Sequence, residues 1–303
     1  MTADRPLLGI LLMLGFCMLI PLADALAKIL GDHFPLLQLI VVRFVAQGFL
    51  LLPLALAAGA ILFPSRRITR LMFLRTILQI TGLALMFTAL RYLPLADAIA
   101  IAFVMPFIML LLGKYVLGEE VGPRRLAACA VGFVGTLMVV QPSFAEVGAP
   151  ALLPLGVALV FALFMLVTRQ IAKEVDPMAL QAVAGLMGLP ILLPLFLFAP
   201  GPGSPPAIGW IMPQGVDIWL LVALGTIGAA GHLLMTWSLR FAPSATLAPM
   251  QYLEIPMATL VGWLIFRDLP NGLAAAGILL TLAAGLYIVM RERAVMRAAA
   301  ETG

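Results

Sequence analysis

The chain has 303 residues, of which 63% are hydrophobic and only 11% are charged, and its mean hydropathy is +1.14. Soluble domains carry roughly 45–50% apolar and about 25% charged residues, so this composition excludes an ordinary water-soluble fold. The net charge of +4 does not indicate nucleic acid binding, because the basic residues lie in short loops between apolar runs, where the positive-inside rule places them.

Ten apolar runs follow one another along the chain, and each approaches the roughly 20 residues that a membrane-spanning helix needs. The breaks between them are rich in residues that end helices, such as Gln141-Pro142-Ser143 and Asp176-Pro177. The runs do not show the short alternating segments of a membrane barrel. The sequence therefore predicts an all-α integral membrane protein with ten transmembrane helices. The runs lie near residues 7–29, 36–62, 71–91, 94–115, 123–140, 152–171, 178–199, 216–239, 243–266 and 271–290.

The first run admits a second interpretation as a cleaved signal sequence. Ala23-Asp24-Ala25 and Ala25-Leu26-Ala27 both resemble signal-peptidase sites after a short apolar segment. Against cleavage, the positive charge of Arg5 is offset by Asp4. The internal repeat described below also requires this helix as the partner of the sixth, so we expect the first run to be retained.

The lysine and arginine residues favour one orientation. With the amino terminus in the cytoplasm, most of them fall in inner segments, whereas the outer segments hold Lys28, Arg91 and Arg267. This bias predicts that both termini are cytoplasmic. The richest inner segment, around the start of the third run, is counted as holding Arg66, Arg67, Arg70 and Arg75.

The two halves of the chain resemble each other. Leu90-Arg91-Tyr92-Leu93-Pro94 aligns with Leu239-Arg240-Phe241-Ala242-Pro243, and Glu119 aligns with Asp268 at the same shift. We therefore divide the chain into residues 1–145 and 146–303, with five helices each. Because five is odd, the second half enters the membrane in the opposite orientation, and inverted repeats of this kind are typical of secondary transporters.

Stripes of small residues recur in the last helix of each half. Ala128, Gly132 and Thr136 align with Gly277, Thr281 and Gly285. Within each stripe the spacing of four places the small side chains on one helix face, which lets two helix backbones approach closely.

These motifs together resemble the EamA-type repeat of the drug/metabolite transporter superfamily. The resemblance rests on residues 89–94, Phe103-Val104-Met105-Pro106, Leu117-Gly118-Glu119-Glu120 and Gly132-Phe133-Val134-Gly135, and on their weaker counterparts in the second half. It implies two inverted five-helix units around a central cavity in the bacterial inner membrane, and transport of a small organic metabolite, commonly outward. The chain is most similar to the aromatic amino acid exporter branch, which implies amino acids, aromatic ones first, as substrates.

Polar side chains inside the apolar runs are candidate substrate contacts, because such groups are costly in hydrocarbon. Glu254 lies about ten residues into the ninth run, and burial would disfavour its charged form. It is expected to bind a substrate ammonium group or exchange a proton, or else to accept hydrogen bonds freed at Pro256. Asp24 and Arg43 are expected either to form a structural bridge or to contact substrate. Further polar candidates are Gln79, His232 and Gln251.

Aromatic residues complete the predicted site, since apolar walls with a few polar groups suit small amphipathic ligands. Ordinary packing is the alternative for each of them, as it is for His232. Pro106 and Pro256 are expected to interrupt helices four and nine for gating, or merely to kink them. The aromatic candidates are Phe103, Phe107, Phe161, Phe164, Trp237 and Tyr252.

Other functions find less support in the sequence. Gly113-Lys114-Tyr115 lacks the Ser or Thr of a phosphate-binding loop, so transport is expected to run on a gradient, with no cofactor and no metal. A membrane enzyme acting on lipids would need convergent catalytic groups, yet His33 and His232 are far apart. A receptor that binds without transport is disfavoured by the inverted repeat. The expected partners are a small-molecule substrate and membrane lipid, and other metabolites or amphipathic drugs stay open as substrates.

Overall fold

The computed structural model describes residues 5–116, 118, 122–198 and 208–301. Within these ranges it describes the backbone but not the side chains of residues 106, 110, 113, 124, 125, 129, 140–142, 198, 244, 245, 248, 249, 288, 289 and 291–301. These residues form helices and contain no strand. The α-helices are α1 (Pro6–Gly31), α2 (Leu36–Ala57), α3 (Arg66–Ala89), α4 (Leu95–Ala102), α5 (Met105–Val116), α6 (Pro123–Val147), α7 (Leu153–Ile171), α8 (Pro177–Leu192), α9 (Val216–Phe241), α10 (Ser244–Leu247), α11 (Glu254–Phe266) and α12 (Gly272–Glu301). Short 3-10 helices cover Ala149–Leu152, Leu193–Phe198 and Ala248–Leu253.

Most of these helices are long and apolar enough to cross a membrane. Within the described residues, 8 segments meet both criteria, and the apolar helices Met250–Phe266 and Gly272–Tyr287 are shorter. In hydrocarbon every backbone polar group must be satisfied inside its own segment, which explains why these apolar runs are helical. The structure supports a multi-pass membrane protein, and ten crossings stay a prediction.

Helix ends lie where the sequence offers capping groups. The Ser65 hydroxyl accepts a hydrogen bond from the Ile68 amide at 3.3 Å at the start of α3. The Asp176 carboxylate accepts from the amides of Met178 and Ala179 at the start of α8, whose first residue is Pro177. Such caps satisfy amides that have no partner within the helix.

The most extensive helix contacts are α1 with α9, α2 with α8, α3 with α7, and α6 with α12. Each pair joins a helix from the first half of the chain to one from the second. Pairing the helices of the two halves in order relates α1 to α7, α2 to α8, α3 to α9 and α6 to α12. If the two halves are exchanged, the α1–α9 contact becomes the α3–α7 contact, and the α2–α8 and α6–α12 contacts are unchanged. This is the pattern expected from two repeats that pack about a pseudo-two-fold axis.

Small residues bring paired helices into close contact. A Cβ atom at Gly277 would overlap the main-chain oxygen of Gly135, and the Thr281 hydroxyl lies 3.3 Å from the main-chain oxygen of Gly132. A Cβ atom at Gly185 of α8 would likewise overlap the backbone of Gly48 in α2. The small-residue stripes predicted from the sequence thus allow α6 and α12 to approach closely, as in other membrane helix pairs.

The fourth and ninth predicted runs are each interrupted near a proline. Between α4 and α5 the chain forms a turn at Phe103 and Val104, and Pro106 is the second residue of α5. Between α10 and α11 the chain is a 3-10 helix, and Pro256 is the third residue of α11. Proline is compatible with the first turn of a helix, so each proline lies just after a change in helical form.

Candidate functional site

An internal cavity lies among α1, α2, α3, α4, α5, α7, α9 and α11. It encloses about 700 Å³ of atom-free space when the open mouth is included. Its lining is mainly apolar and aromatic, with charged and amide groups contributed by α1, α2, α3 and α11. The lining residues are Phe16, Ile20, Asp24, Arg43, Gln79, Gly82, Leu83, Met86, Ile99, Ala102, Phe103, Met105, Val157, Ala158, Phe161, His232 and Glu254.

The cavity brings together half of the predicted substrate-binding residues. They come from five different segments of the chain, three in the second half and two in the first, as a central cavity between two repeats requires. They are Gln79, Phe103, Phe161, His232 and Glu254.

The other predicted contacts pack elsewhere. Phe164 is fully buried behind Phe161, with ring centroids 5.3 Å apart, and Phe107 stacks on Phe133 at 6.2 Å. Trp237 is half-buried on α9 and does not line the cavity. The rotation of each helix turns these side chains away from the cavity, and a role for them in substrate binding stays a prediction.

Gln251 and Tyr252 also lie outside the cavity lining. The Gln251 amide nitrogen lies 3.0 Å from the sulfur of Met165. Tyr252 is 1% exposed, and its ring lies 5.5 Å from that of Phe103. A Cβ atom at either Gly132 or Gly285 would overlap Tyr252. Tyr252 therefore fills the space that the small residues of α6 and α12 leave open.

The two prolines have different surroundings. Pro256 is exposed, so it does not contact the cavity. For Pro106 the structure describes the backbone but not the side chain. Their role in gating stays a prediction.

Two carboxylates and one guanidinium face the cavity. Asp24, Arg43 and Glu254 are 5%, 3% and 8% exposed. Arg43 makes no ion pair among the described residues, so the predicted structural bridge to Asp24 is absent. The guanidinium lies against α9, where a Cβ atom at Gly228 would overlap it. Arg43 is therefore held by packing, with its charge directed at the cavity.

Three polar atoms of the cavity lining have no hydrogen-bond partner among the described residues. They are Nη1 of Arg43, Oε1 of Gln79 and Nδ1 of His232. His232 is held edge-on between the rings of Phe16, Phe161 and Phe164, with centroid separations of 5.7–6.2 Å. Buried polar atoms normally have partners, so these atoms are suited to hydrogen-bond a ligand.

The count of basic residues placed Arg75 with an inner segment, and the structure corrects this. Helix α3 begins at Arg66, so Arg75 lies about 14 Å along it at 1.5 Å per residue, and its side chain is 0% exposed. Its Nε donates to the Thr168 hydroxyl at 2.8 Å, and its guanidinium lies 4.4 Å from the centroid of Phe164. Arg75 is thus a buried cation next to the cavity wall.

Sequence reasoning also missed two buried amides, Gln47 and Gln181, which hydrogen-bond to each other across α2 and α8. Both lie within apolar runs, and this position was the available signal. Asp97 is also buried, at 8% exposed, and accepts a hydrogen bond from Ser143 at 2.9 Å. In the described part of the chain no group of three His, Cys, Asp or Glu residues can hold a metal.

Comparison with known proteins decides the family. The EamA-like transporter family matches residues 7–141 and again residues 149–290. The chain belongs to the EamA-like transporter family. The match occurs twice, at ranges close to the two halves predicted from the sequence.

Named relatives of this EamA-like transporter carry several substrates. It is 31% identical to a riboflavin transporter of Rhizobium johnstonii, over 79% of this chain and 74% of the relative. It is 22% identical to an S-adenosylmethionine uptake transporter of Rickettsia prowazekii, over 89% and 88%. It is 25% identical to a pseudopaline exporter of Pseudomonas aeruginosa, over 91% and 94%.

A solved crystal structure shares the fold of the EamA-like transporter. The two align with a TM-score of 0.69 at 18% sequence identity, over 96% of this chain and 98% of the other. At this identity the similarity establishes the fold alone. The relatives named above are transporters of small molecules, and they include an uptake protein and an exporter. The relatives therefore do not decide the direction of transport. None of the three is named for the aromatic amino acids expected from the sequence.

Proposed function

We propose that this EamA-like transporter carries a flat heteroaromatic metabolite of the flavin class, with riboflavin as the first candidate. The observation that carries the proposal is the cavity, whose walls are aromatic and whose lining holds an unpaired donor and an unpaired acceptor. The relative at 31% identity, named as a riboflavin transporter, supports the same class.

The chemistry of riboflavin fits the groups in the cavity. Phe16, Phe103 and Phe161 offer faces and edges against which a flat ring system can pack. The free Nη1 of Arg43 can donate to a ring carbonyl oxygen, and Oε1 of Gln79 can accept from the ring imide N–H. Asp24 and Glu254 can accept hydrogen bonds from the hydroxyls of the ribityl chain.

A cationic substrate is the second candidate, because two carboxylates face the cavity beside a single guanidinium. This balance suits the sulfonium and ammonium groups of S-adenosylmethionine, which the Rickettsia relative is named for. An aromatic amino acid, the substrate expected from the sequence, and amphipathic drugs would use the same aromatic walls. Glu254 is the group that we propose to bind the ammonium or to exchange a proton.

Alternating access is the proposed mechanism. Ten helices in two inverted halves, residues 1–145 and 146–303, would rock about the cavity and expose it to each side in turn. We propose that both termini are cytoplasmic in the bacterial inner membrane and that the chain is not an enzyme.

Flux into proteoliposomes tests the proposed function. Labelled riboflavin, S-adenosylmethionine and phenylalanine are offered separately, with and without a pH gradient, to vesicles that contain the wild type or Glu254→Gln. We expect saturable riboflavin flux, and if Glu254 exchanges protons its loss removes any effect of the gradient. Flux of S-adenosylmethionine or phenylalanine without riboflavin would overturn the flavin proposal and identify the substrate class instead.

A further inference from the structure

Three buried glutamines connect the cavity to the packing between the two halves. Gln79 of α3 donates from Nε2 to Oε1 of Gln47 in α2 at 3.0 Å. Gln47 donates from Nε2 to Oε1 of Gln181 in α8 at 2.7 Å. Gln181 donates from Nε2 to the hydroxyl of Thr236 in α9 at 2.6 Å. None of these side chains is more than 4% exposed. We call Gln79, Gln47 and Gln181 the amide relay.

Two main-chain carbonyl groups fix the direction of the amide relay. Nε2 of Gln181 also donates to the main-chain oxygen of His232 at 2.8 Å, and Nε2 of Gln47 donates to that of Gln181 at 2.8 Å. A carbonyl oxygen can only accept a hydrogen bond. Turning either amide around would lose that bond and place two buried oxygens against each other, which is costly in a low-dielectric interior.

The orientation of the Gln47 amide also determines the orientation of the Gln79 amide. Because both amide hydrogens of Gln47 are used on Gln181, its Oε1 is the atom left to contact Gln79. That oxygen needs a donor, so Gln79 turns its nitrogen toward Gln47. Oε1 of Gln79 is consequently left without a partner, in a side chain that lines the cavity.

Further hydrogen bonds also hold Thr236, which accepts from the Gln181 end of the amide relay. The Thr236 hydroxyl donates to the main-chain oxygen of His232 at 2.8 Å and accepts from Gln181, while Arg75 lies 3.4 Å away as a further donor. Arg75 is one helical turn before Gln79, so the network begins and ends on α3. A buried network that is anchored at both ends on one helix resists a local flip of one amide.

We propose that Gln47 and Gln181 are positioning residues that fix the Gln79 carbonyl as an acceptor facing the substrate. The transporter would then select ligands that offer an N–H group at this point, such as the ring imide of a flavin. This inference rests on the proposed function for the choice of probe. The two positioning residues do not line the cavity, so they act on selectivity through Gln79.

A pair of flavins that differ at one atom tests the proposal. Riboflavin and 3-methylriboflavin are titrated into purified wild type, Gln79→Met, Gln47→Met and Gln181→Met, and the ratio of the two Kd values is compared. The wild type should prefer riboflavin by about 10- to 100-fold. Gln79→Met gives the part of the ratio that is due only to the size of the methyl group.

We expect the ratio for Gln47→Met and Gln181→Met to fall to within about threefold of the Gln79→Met value, because a freed Gln79 amide can turn. A ratio that stays at the wild-type value in folded, monodisperse Gln47→Met and Gln181→Met would overturn the proposal. The Kd ratio does not change with the fraction of active protein. A purely structural loss would weaken both ligands equally and leave the ratio intact.

Gln38→Met is the matched control. Gln38 is also a 0% exposed amide of α2, but it bonds the main chain of Ile211 and not the amide relay. Its ratio should equal that of the wild type, and a lowered ratio would contradict a specific role for the relay. If the wild type binds no riboflavin, this result contradicts the flavin proposal but not the role of the amide relay. The relay is then tested by the same ratio with S-adenosylmethionine and its N6,N6-dimethyladenine analogue, in which the amino group has no hydrogen to donate.

Discussion

Arg43→Met is expected to lower the kcat/KM of substrate uptake by about 10- to 100-fold, the cost of losing a buried hydrogen bond to a charged group. Arg43 contributes the guanidinium that lines the cavity, and its Nη1 has no protein partner in the described structure. Its removal would leave Asp24 and Glu254 facing the same space without a compensating cation. The measurement is initial uptake into proteoliposomes over a range of substrate concentrations.

Arg67→Met is the control for this prediction. Arg67 pairs with Glu174 at 3.0 Å, but both side chains are largely exposed, and exposed ion pairs contribute about 0–1 kcal/mol. We expect Arg67→Met to transport at close to the wild-type rate. If Arg43→Met did the same, Arg43 would be a packing residue and not a substrate contact.

Arg75→Met is expected to raise the stability of the protein by about 1–4 kcal/mol, the gain seen when buried charged groups are replaced by apolar ones of similar volume. Arg75 is fully buried, and the described residues hold no ion pair to it. Removing it leaves no orphaned hydroxyl, because Thr168 and Thr236 also donate to the main-chain oxygens of Phe164 and His232. The measurement is thermal unfolding of the purified protein in detergent.

Two further variants, one at Arg75 and one at Arg70, separate the effect of the Arg75 charge on stability from the effect of its side-chain volume. Arg75→Ala leaves a void under Phe164 and should be less stable than Arg75→Met by about 2–5 kcal/mol. Arg70→Met, at an exposed position of the same helix, should stay within about 0.5 kcal/mol of the wild type. A melting temperature of Arg75→Met below that of the wild type would show that the cation stabilises the fold.

Helix positions were largely predictable from the sequence, because hydropathy alone decides which segments enter the bilayer. The eighth run was expected at residues 216–239 and forms a helix over Val216–Phe241. The second was expected to reach residue 62, but the helix ends at Ala57. The apolar residues Ile61 and Leu62 extend the hydropathy of the run beyond the end of the helix.

The cavity was only partly predictable, because sequence does not give the rotation of each helix about its axis. Phe161 lines the cavity while Phe164, one turn later, is buried behind it. Arg75 was counted with the inner segment because it follows Arg66, Arg67 and Arg70 closely, although it lies inside the third predicted run, near residues 71–91. The amide relay depends on three helices meeting, which no local pattern encodes.

The choice of substrate depended on relatives more than on motifs. Aromatic side chains such as Phe16 and Phe161 suit phenylalanine, a flavin or an amphipathic drug, so the expectation of amino acids rested on resemblance. Which ligand enters depends on the polar atoms among these rings, and Oε1 of Gln79 and Nη1 of Arg43 became visible as unpaired only in the structure.

Substrate protection of a cysteine in the cavity tests the central claim most directly. Ala102 lines the cavity, so Ala102→Cys is made after Cys17 and Cys129 are replaced by alanine, with Leu269→Cys as the exposed control outside the cavity. Labelling of both with a small thiol reagent is followed with and without saturating riboflavin. We predict that riboflavin slows labelling of Ala102→Cys at least tenfold and leaves Leu269→Cys unchanged. Equal labelling of Ala102→Cys with and without riboflavin, in protein that transports it, would show that the substrate does not occupy this cavity.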